Sequence, residues 1–159
     1  MIRKKSKYKK PRKLYDKNRI EEENRLLAAY GLKNKREIWK ADSKISLLRR
    51  RAKELITTDD KMQNRFIEKL KKIGFDVKDI PSVLALKKED LLNRRLQTIL
   101  LKKHNIKNPK EARQLIVHKH VMINDEIVNV PSYIVPKDLE DKITIISCGE
   151  KPQGDKNDK

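Results

Sequence analysis

Cysteine is almost absent: Cys148 is the only one in 159 residues. One thiol excludes an internal disulfide and leaves no cysteine cluster for zinc. There are four glycines and two phenylalanines. That is too few to suggest a large β-sandwich or an α/β enzyme core. Aromatic residues make up 4% of the chain. A membrane-surface helix needs a fuller aromatic or leucine face, and no lipidation motif is present. The longest apolar run is the five residues LLAAY at 26–30, too short to span a bilayer. The N-terminus is basic with no apolar stretch behind it, unlike a signal peptide. These absences predict a cytoplasmic, reducing location and no membrane partner.

What is present is positive charge. The net charge is +18, with 40% of residues charged and 36% hydrophobic. A solvated surface of mixed sign would account for the charged fraction, but not for so large an excess of one sign. Self-repulsion on this scale disfavours a compact chain unless a polyanion neutralises it. Nucleic acid is therefore the expected partner, and no small-molecule substrate or cofactor is expected. The length allows one domain or two small ones.

Residues 1–19 carry ten Lys/Arg against the single acid Asp16. Such blocks act as nucleic-acid tails or as solubilising arms. Here the basic body behind it favours contact through Lys9, Lys10, Arg12 and Lys13. A helical lobe is expected over 20–87. Its first helix covers Ile20 to Tyr30, with Glu21, Glu22 and Glu23 favouring the dipole of the first turn and Gly31 as C-terminal cap. A second helix runs from about Asn34 to Ile56. Ile38, Ala41, Ile45, Leu48, Ala52 and Leu55 form its buried stripe, and Trp39 borders it. Arg49, Arg50 and Arg51 offer guanidinium forks to phosphates. The plainer reading is a solvated face with a weak pair such as Arg50–Glu54. A third helix starts at Asp59 or Asp60, packs through Met62, Phe66, Leu70 and Ile73, and ends at Gly74. Residues 57–85 hold six bases and five acids, which suits a structural helix packed behind the basic one. Asp79 to Ser82 reads as a turn.

A second unit is expected over 88–148, followed by a flexible tail over 149–159. Its first helix runs from about Lys88 to His104, with Leu92, Leu96, Ile99 and Leu100 inside. Arg94, Arg95, Gln97, Thr98, Lys102 and Lys103 are assigned to the other sides, outside the core. Asn105 is a left-handed stop. Asn108, Pro109 and Glu111 mark a new helix start. That helix buries Ala112, Leu115 and Ile116 and leaves Arg113, Gln114, His118 and Lys119 outward. Val121 to Ile123 and Glu126 to Val130 read as an antiparallel pair around Asn124-Asp125. Tyr133 to Val135 and Ile143 to Ser147 offer two more short strands. The fold class expected is α+β: a mostly helical N-terminal lobe, then two helices on a small antiparallel sheet.

The segments RRLQTILLKK and ARQLIVHKHVMINDEIVNVPSYIVP resemble the S-four-type RNA-binding domain. Upstream, KKPRKLYDKNRIEEE, YGLKNKREIWKA and VLALKKEDLLNRRLQTI resemble the archaeal and eukaryotic branch of the ribosomal small-subunit protein S-four family. The likeness covers roughly residues 9–150 in linear order. It implies a primary rRNA-binding protein that nucleates small-subunit assembly at a multi-helix junction, near where mRNA enters. By family likeness its neighbours are the S-five and S-three proteins. Carried over by position, Arg94, Arg95, Gln97, Thr98, Arg113, Gln114, His118 and His120 lie on or near the RNA-binding face. Two positions depart from the pattern. Lys119 stands where the family usually has glycine between the histidines, and Asp125 stands where the turn is usually Asn-Gly. Either Lys119 adopts a strained backbone or the helix ends slightly differently. Some bacterial relatives hold zinc with N-terminal cysteines; this chain has none there, so no metal is expected.

Other readings are weaker. His118 and His120 without cysteine or carboxylate partners are a poor metal signal. No nucleophile–base arrangement can be argued from the sequence. S-four-type domains also target RNA-modifying enzymes, but such an enzyme needs a catalytic core. The region before Lys87 reads as basic helices, and KPQGDKNDK is too polar to fold. No enzyme is expected. A non-ribosomal RNA-binding factor is the other alternative, and the long upstream resemblance argues against it.

Overall fold

The apolar stripes set the architecture. A computed structural model describes residues 8–146. Residues 1–7, Ser147, Cys148 and the tail expected over 149–159 lie outside the described residues. Seven α-helices come first: α1 (Lys17–Tyr30), α2 (Lys35–Leu55), α3 (Asp60–Ile73), α4 (Ile80–Ala85), α5 (Lys88–Asn93), α6 (Leu96–Lys103) and α7 (Pro109–Val117). Then β1 (Val121–Ile123), β2 (Glu126–Ile127), a 3-10 helix (Lys137–Lys142) and β3 (Ile143–Ile145) follow. The fold is α+β, with one antiparallel sheet in the order β2-β1-β3. The register sets Met122 opposite Ile127 and Thr144.

Two apolar cores divide the chain. The first gathers Ile38, Ala41, Ile45 and Ala52 of α2 with Phe66, Ile67 and Leu70 of α3, and continues to Leu91 and Leu92. Each fully buried Ile or Leu contributes about 1.5–3 kcal/mol. The second gathers Leu96, Ile99 and Leu100 with Ala112, Ile116, Val121, Ile123, Val135 and Ile143. The change of core falls between Leu92 and Leu96, later in the chain than a boundary at 87/88.

It falls there because the helix expected from Lys88 to His104 is two helices. Arg95 is extended (φ −74, ψ 144). The backbone beside it leaves helical pairing for a neighbour: Leu96 N–H donates to Tyr133 O (2.8 Å), and Val135 N–H donates to Arg94 O (3.1 Å). The Thr98 hydroxyl donates to the Leu92 carbonyl (2.8 Å), satisfying a helix-end acceptor left by the break. In place of a third strand at Tyr133–Val135 there is one bridge, Ile134 to Arg95. The strand expected to reach Val130 stops at Ile127. Asp79 to Ser82, expected as a turn, opens α4 with Pro81 in the first turn, where a missing N–H costs nothing.

The acidic triplet also has a different role. Helix α1 begins at Lys17, and its cap is Asp16, which accepts from Arg19 N–H. Glu23 is therefore one turn further in, and only 4% exposed. It accepts from Trp39 Nε1 (2.8 Å) and pairs with Lys35 (3.4 Å) and Arg19 (3.7 Å). It ties α1 to α2.

Both departures at turns resolve as left-handed residues. Asn124 (φ 52) and Asp125 (φ 67) make the two-residue turn between β1 and β2. Positive φ at both positions is the type I′ hairpin. Lys119 has φ 64. The N–H of Lys119 donates to Ile116 O and that of His120 to Leu115 O, the Schellman closure of α7 with lysine in glycine's place. A left-handed L-residue costs roughly 1–2 kcal/mol, partly offset by glycine's larger unfolded-state entropy. Lys119→Gly is expected to raise stability by about 0.5–1 kcal/mol in urea unfolding. No gain would mean the helix end is not strained.

Candidate nucleic-acid interface

A basic side chain is available to phosphate only if it is exposed and not already committed to an acid. By that test the sequence-predicted residues divide. Gln97 is 1% exposed, and its Nε2 donates to the carbonyls of Tyr30 (3.1 Å), Gly31 (3.1 Å) and Pro109 (2.8 Å). Thr98 is buried against α5. Arg95 is 6% exposed and donates to Glu37 at 2.6 Å. Arg94 donates to Ile73 O (3.1 Å), Val135 O (2.9 Å) and Glu140 (3.0 Å). Placing Arg95, Gln97 and Thr98 outside the core was wrong, and Arg94, half-buried, is committed to internal acceptors. The break in the helix turns them into the junction between the two cores. Two consecutive arginines face different sides of it, and each finds a carboxylate.

The arginine run on α2 also fails to form one cluster. Arg49 is half-buried and donates through Nη2 to the Leu86 carbonyl. Arg50 is exposed and pairs with Glu54 (3.0 Å). Arg51 lies over the Phe66 ring, 5.9 Å from its centroid. Phosphate contact by the run as a unit has no geometry to support it.

A continuous concave surface does form where α2 meets the second core. One groove is lined by Tyr8, Lys9, Asp42, Lys44, Leu47 and Arg50, among others. The cleft beside it is lined by Glu37, Lys40, Lys44, Arg95, Arg113 and Ser132, among others. Lys44, Leu91 and Ile134 belong to both, so the two run together. Lys40 and Lys44 are exposed at i,i+4 on α2 and share a face. Glu37 at the cleft floor stays charged. Burial works to raise its pKa, but hydrogen bonds from Arg113 (3.0 Å) and Arg95 outweigh it and leave the pKa lowered. The tail enters here: Tyr8 packs on Trp39 (5.9 Å between centroids), and Lys9 N–H donates to Ser43 Oγ (3.3 Å). Lys10, Arg12 and Lys13 are exposed beyond it.

A third site lies at the end of α7. Gln114, His118 and His120 line an open groove with Glu111 and Leu115, and the two imidazoles are 6.4 Å apart. Lys119, between them in the chain, is exposed; Lys102 on α6 is exposed as well. Lys103 is also exposed but binds Asp141 (2.7 Å) and the Glu140 carbonyl (2.6 Å). Among the described residues no group of three His, Cys, Asp or Glu is placed to hold a metal.

Comparison with known proteins bears on this arrangement. The S4 domain pattern matches residues 94–141, starting at the corner where the second core begins. The small ribosomal subunit protein uS4 of Methanoregula boonei is 40% identical over 157 residues, covering 91% of this chain and 83% of that protein. The chain belongs to the uS4 family. The uS4 proteins of Nanoarchaeum equitans (42% identical; 92% of this chain, 86% of that protein) and Pyrobaculum islandicum (41%; 86% and 91%) are similarly close. Likeness to uS4 thus extends well upstream of the domain, across α1 to α5, and it is of the archaeal type.

Within this uS4 chain, sequence reasoning missed Lys40, Lys44 and Glu37. The lysines carried a signal: a K-x-x-x-K pair flanking the buried Ala41 on a predicted helix. Glu37 carried none, because its partners lie 58 and 76 residues away.

Proposed function

We propose that this chain is an rRNA-binding structural constituent of the small ribosomal subunit, in the cytoplasm. In this reading it is a primary binder that nucleates small-subunit assembly. It sits near where mRNA enters, beside proteins of the S-five and S-three families. Membership of the uS4 family supports the ribosomal part of the reading and disfavours an enzyme or a free targeting module.

The observation that carries RNA binding is the joined groove and cleft. It presents Lys9, Lys44 and Lys40 along one concave path, beside Arg50 and Arg113, which are paired with Glu54 and Glu37, and with only Glu37 and Asp42 as acids lining it. Phosphate contacts of this kind fix register on the nucleic acid, and counterion release supplies most of the affinity. Lys10, Arg12, Lys13, Lys102, Gln114, His118, Lys119 and His120 extend the path as further contacts. Arg94, Arg95, Gln97 and Thr98 support it from within, as does Arg49. Arg51 and Lys103 are already engaged, with Phe66 and Asp141.

Crosslinking in purified small subunits identifies the rRNA segment. Binding to that segment then tests the path. Lys40→Ala with Lys44→Ala is expected to weaken affinity and to lower the salt slope by about 1 for each lysine. Unchanged affinity would move the interface elsewhere.

A further inference from the structure

An acid at the floor of a phosphate-binding cleft opposes its ligand. On charge alone, its removal strengthens binding. Glu37 therefore needs a reason to be there, and its contacts supply one. It sits in the first turn of α2, where the helix dipole favours a carboxylate. One oxygen accepts from Arg113 Nη2 (3.0 Å) and from the Lys33 backbone N–H (3.3 Å). The other accepts from Arg95 Nη2 (2.6 Å). These donors come from three places: the α1–α2 turn, the corner between the cores, and α7 of the second core. Without the carboxylate, two guanidinium groups would face one another half out of water. The cores would have reason to part.

A second tie stands at the same corner. Arg94 binds Ile73 O of the first lobe and Val135 O and Glu140 of the second. Loss of Glu37 alone thus leaves the lobes joined, through Arg94 and through Gln97 on the Tyr30 and Gly31 carbonyls, and removes the ionic clamp between α2, the corner and α7.

The geometry points to Glu37 as a positioning residue for RNA binding: by clamping Arg95 and Arg113 it fixes the angle between the lobes and holds the walls of the cationic cleft at the spacing the RNA backbone requires. This rests on the cleft being the RNA path. The acid acts through shape, and its preorganising effect exceeds its repulsion of phosphate.

The test uses the full chain. Cys148→Ser removes the native thiol. Met62→Cys on α3 and Val117→Cys on α7, both exposed (51% and 52%), carry spin labels on either lobe. The parent is expected to give one narrow distance distribution. Glu37→Gln is expected to broaden it and, in the unlabelled chain, to weaken binding to the crosslinked rRNA segment at least tenfold at fixed salt, although net charge becomes more positive. Arg113→Lys keeps the charge and loses the fork. It leaves the Arg95 pair intact, so it is expected to show a smaller change in the same direction and serves if Glu37→Gln does not fold. Equal or tighter RNA binding by Glu37→Gln overturns the inference. So does weaker binding with an unchanged narrow distribution. If the Lys40 and Lys44 variants bind normally, the cleft reading fails instead, and the width of the distribution still decides whether Glu37 sets the lobe angle.

Discussion

Arg95→Ala is expected to cost about 2–4 kcal/mol of folding stability, below the full range for a buried ion pair because Glu37 is half-buried. A chain of this kind has about 5–15 kcal/mol in total, so much of the protein would unfold in mild urea. The cost arises on the carboxylate side. Glu37 is half-buried between the buried Arg95 and the half-buried Arg113, and truncation of Arg95 leaves one guanidinium to compensate it. Arg94→Ala is expected to be comparably severe, because it strands the Ile73 and Val135 carbonyls and Glu140 together. The two residues are adjacent, so their costs are not expected to add. Arg50→Ala is the control: that pair is exposed on both sides (82% and 60%), and such pairs contribute about 0–1 kcal/mol. The pH dependence has a definite sign. Glu37 has a lowered pKa in the folded state, so its contribution is fully present above the usual glutamate value near 4.5 and is lost as pH falls through the lower folded value. The gap between parent and Arg95→Ala should therefore narrow in acid. Urea unfolding followed by Trp39 fluorescence measures all of this. A loss under about 0.5 kcal/mol for Arg95→Ala would show that the junction is not held by ions.

Where the sequence was legible, the reason was local. The stripe Ile38, Ala41, Ile45, Ala52 runs at helical spacing, and α2 buries those residues. Gly31 and Asn105 read as left-handed stops and Gly74 as a helix end, and all three have positive φ. Pro109 opens α7, although Asn108 makes no side-chain cap bond. The helix break was not legible. Leu92, Leu96, Ile99 and Leu100 keep helical spacing straight through it, with no glycine or proline between them. Pairing with residues 133–135 overrides local preference there, and nothing near Arg94 announces it. The face assignment failed for a related reason. Arginine was treated as exterior by default, which holds until a carboxylate from distant sequence meets it in the interior. Glu37 and Glu140 are unremarkable in the sequence and become visible only in the folded chain. Lys40 and Lys44 were within reach of the helical spacing and were passed over for the more conspicuous arginine run.

Affinity for the rRNA segment is expected to fall steeply with salt. Between 50 and 200 mM, a protein with about 6–10 phosphate contacts loses about 10³–10⁵ in affinity. The contact number is argued from the residues that remain free to make contacts. Lys9, Lys10, Arg12, Lys13, Lys40, Lys44, Lys102 and Lys119 are exposed cations with no acid drawn against them among the described residues. Arg94 and Arg95 are excluded because their partners are internal, and Lys103 because Asp141 already neutralises it. Stacking offers little to replace this term. Tyr8 and Trp39 pack on one another, and Phe66 and Phe75 are in the core, which leaves Tyr15 and Tyr133 as the exposed aromatic rings. Unstacked RNA bases need free aromatic faces, and with only these two among the described residues shape and phosphate carry most of the recognition. The slope of log affinity against log salt thus counts contacts. A slope near −0.9 times eight matches the free cations of the path, by the B-DNA coefficient, with about −0.7 for single strands. A clearly steeper slope would bring in cations outside this path, such as Arg36, Lys107 and Lys110, which are exposed as well. A flat response would remove the electrostatic basis for RNA binding, whatever the fold.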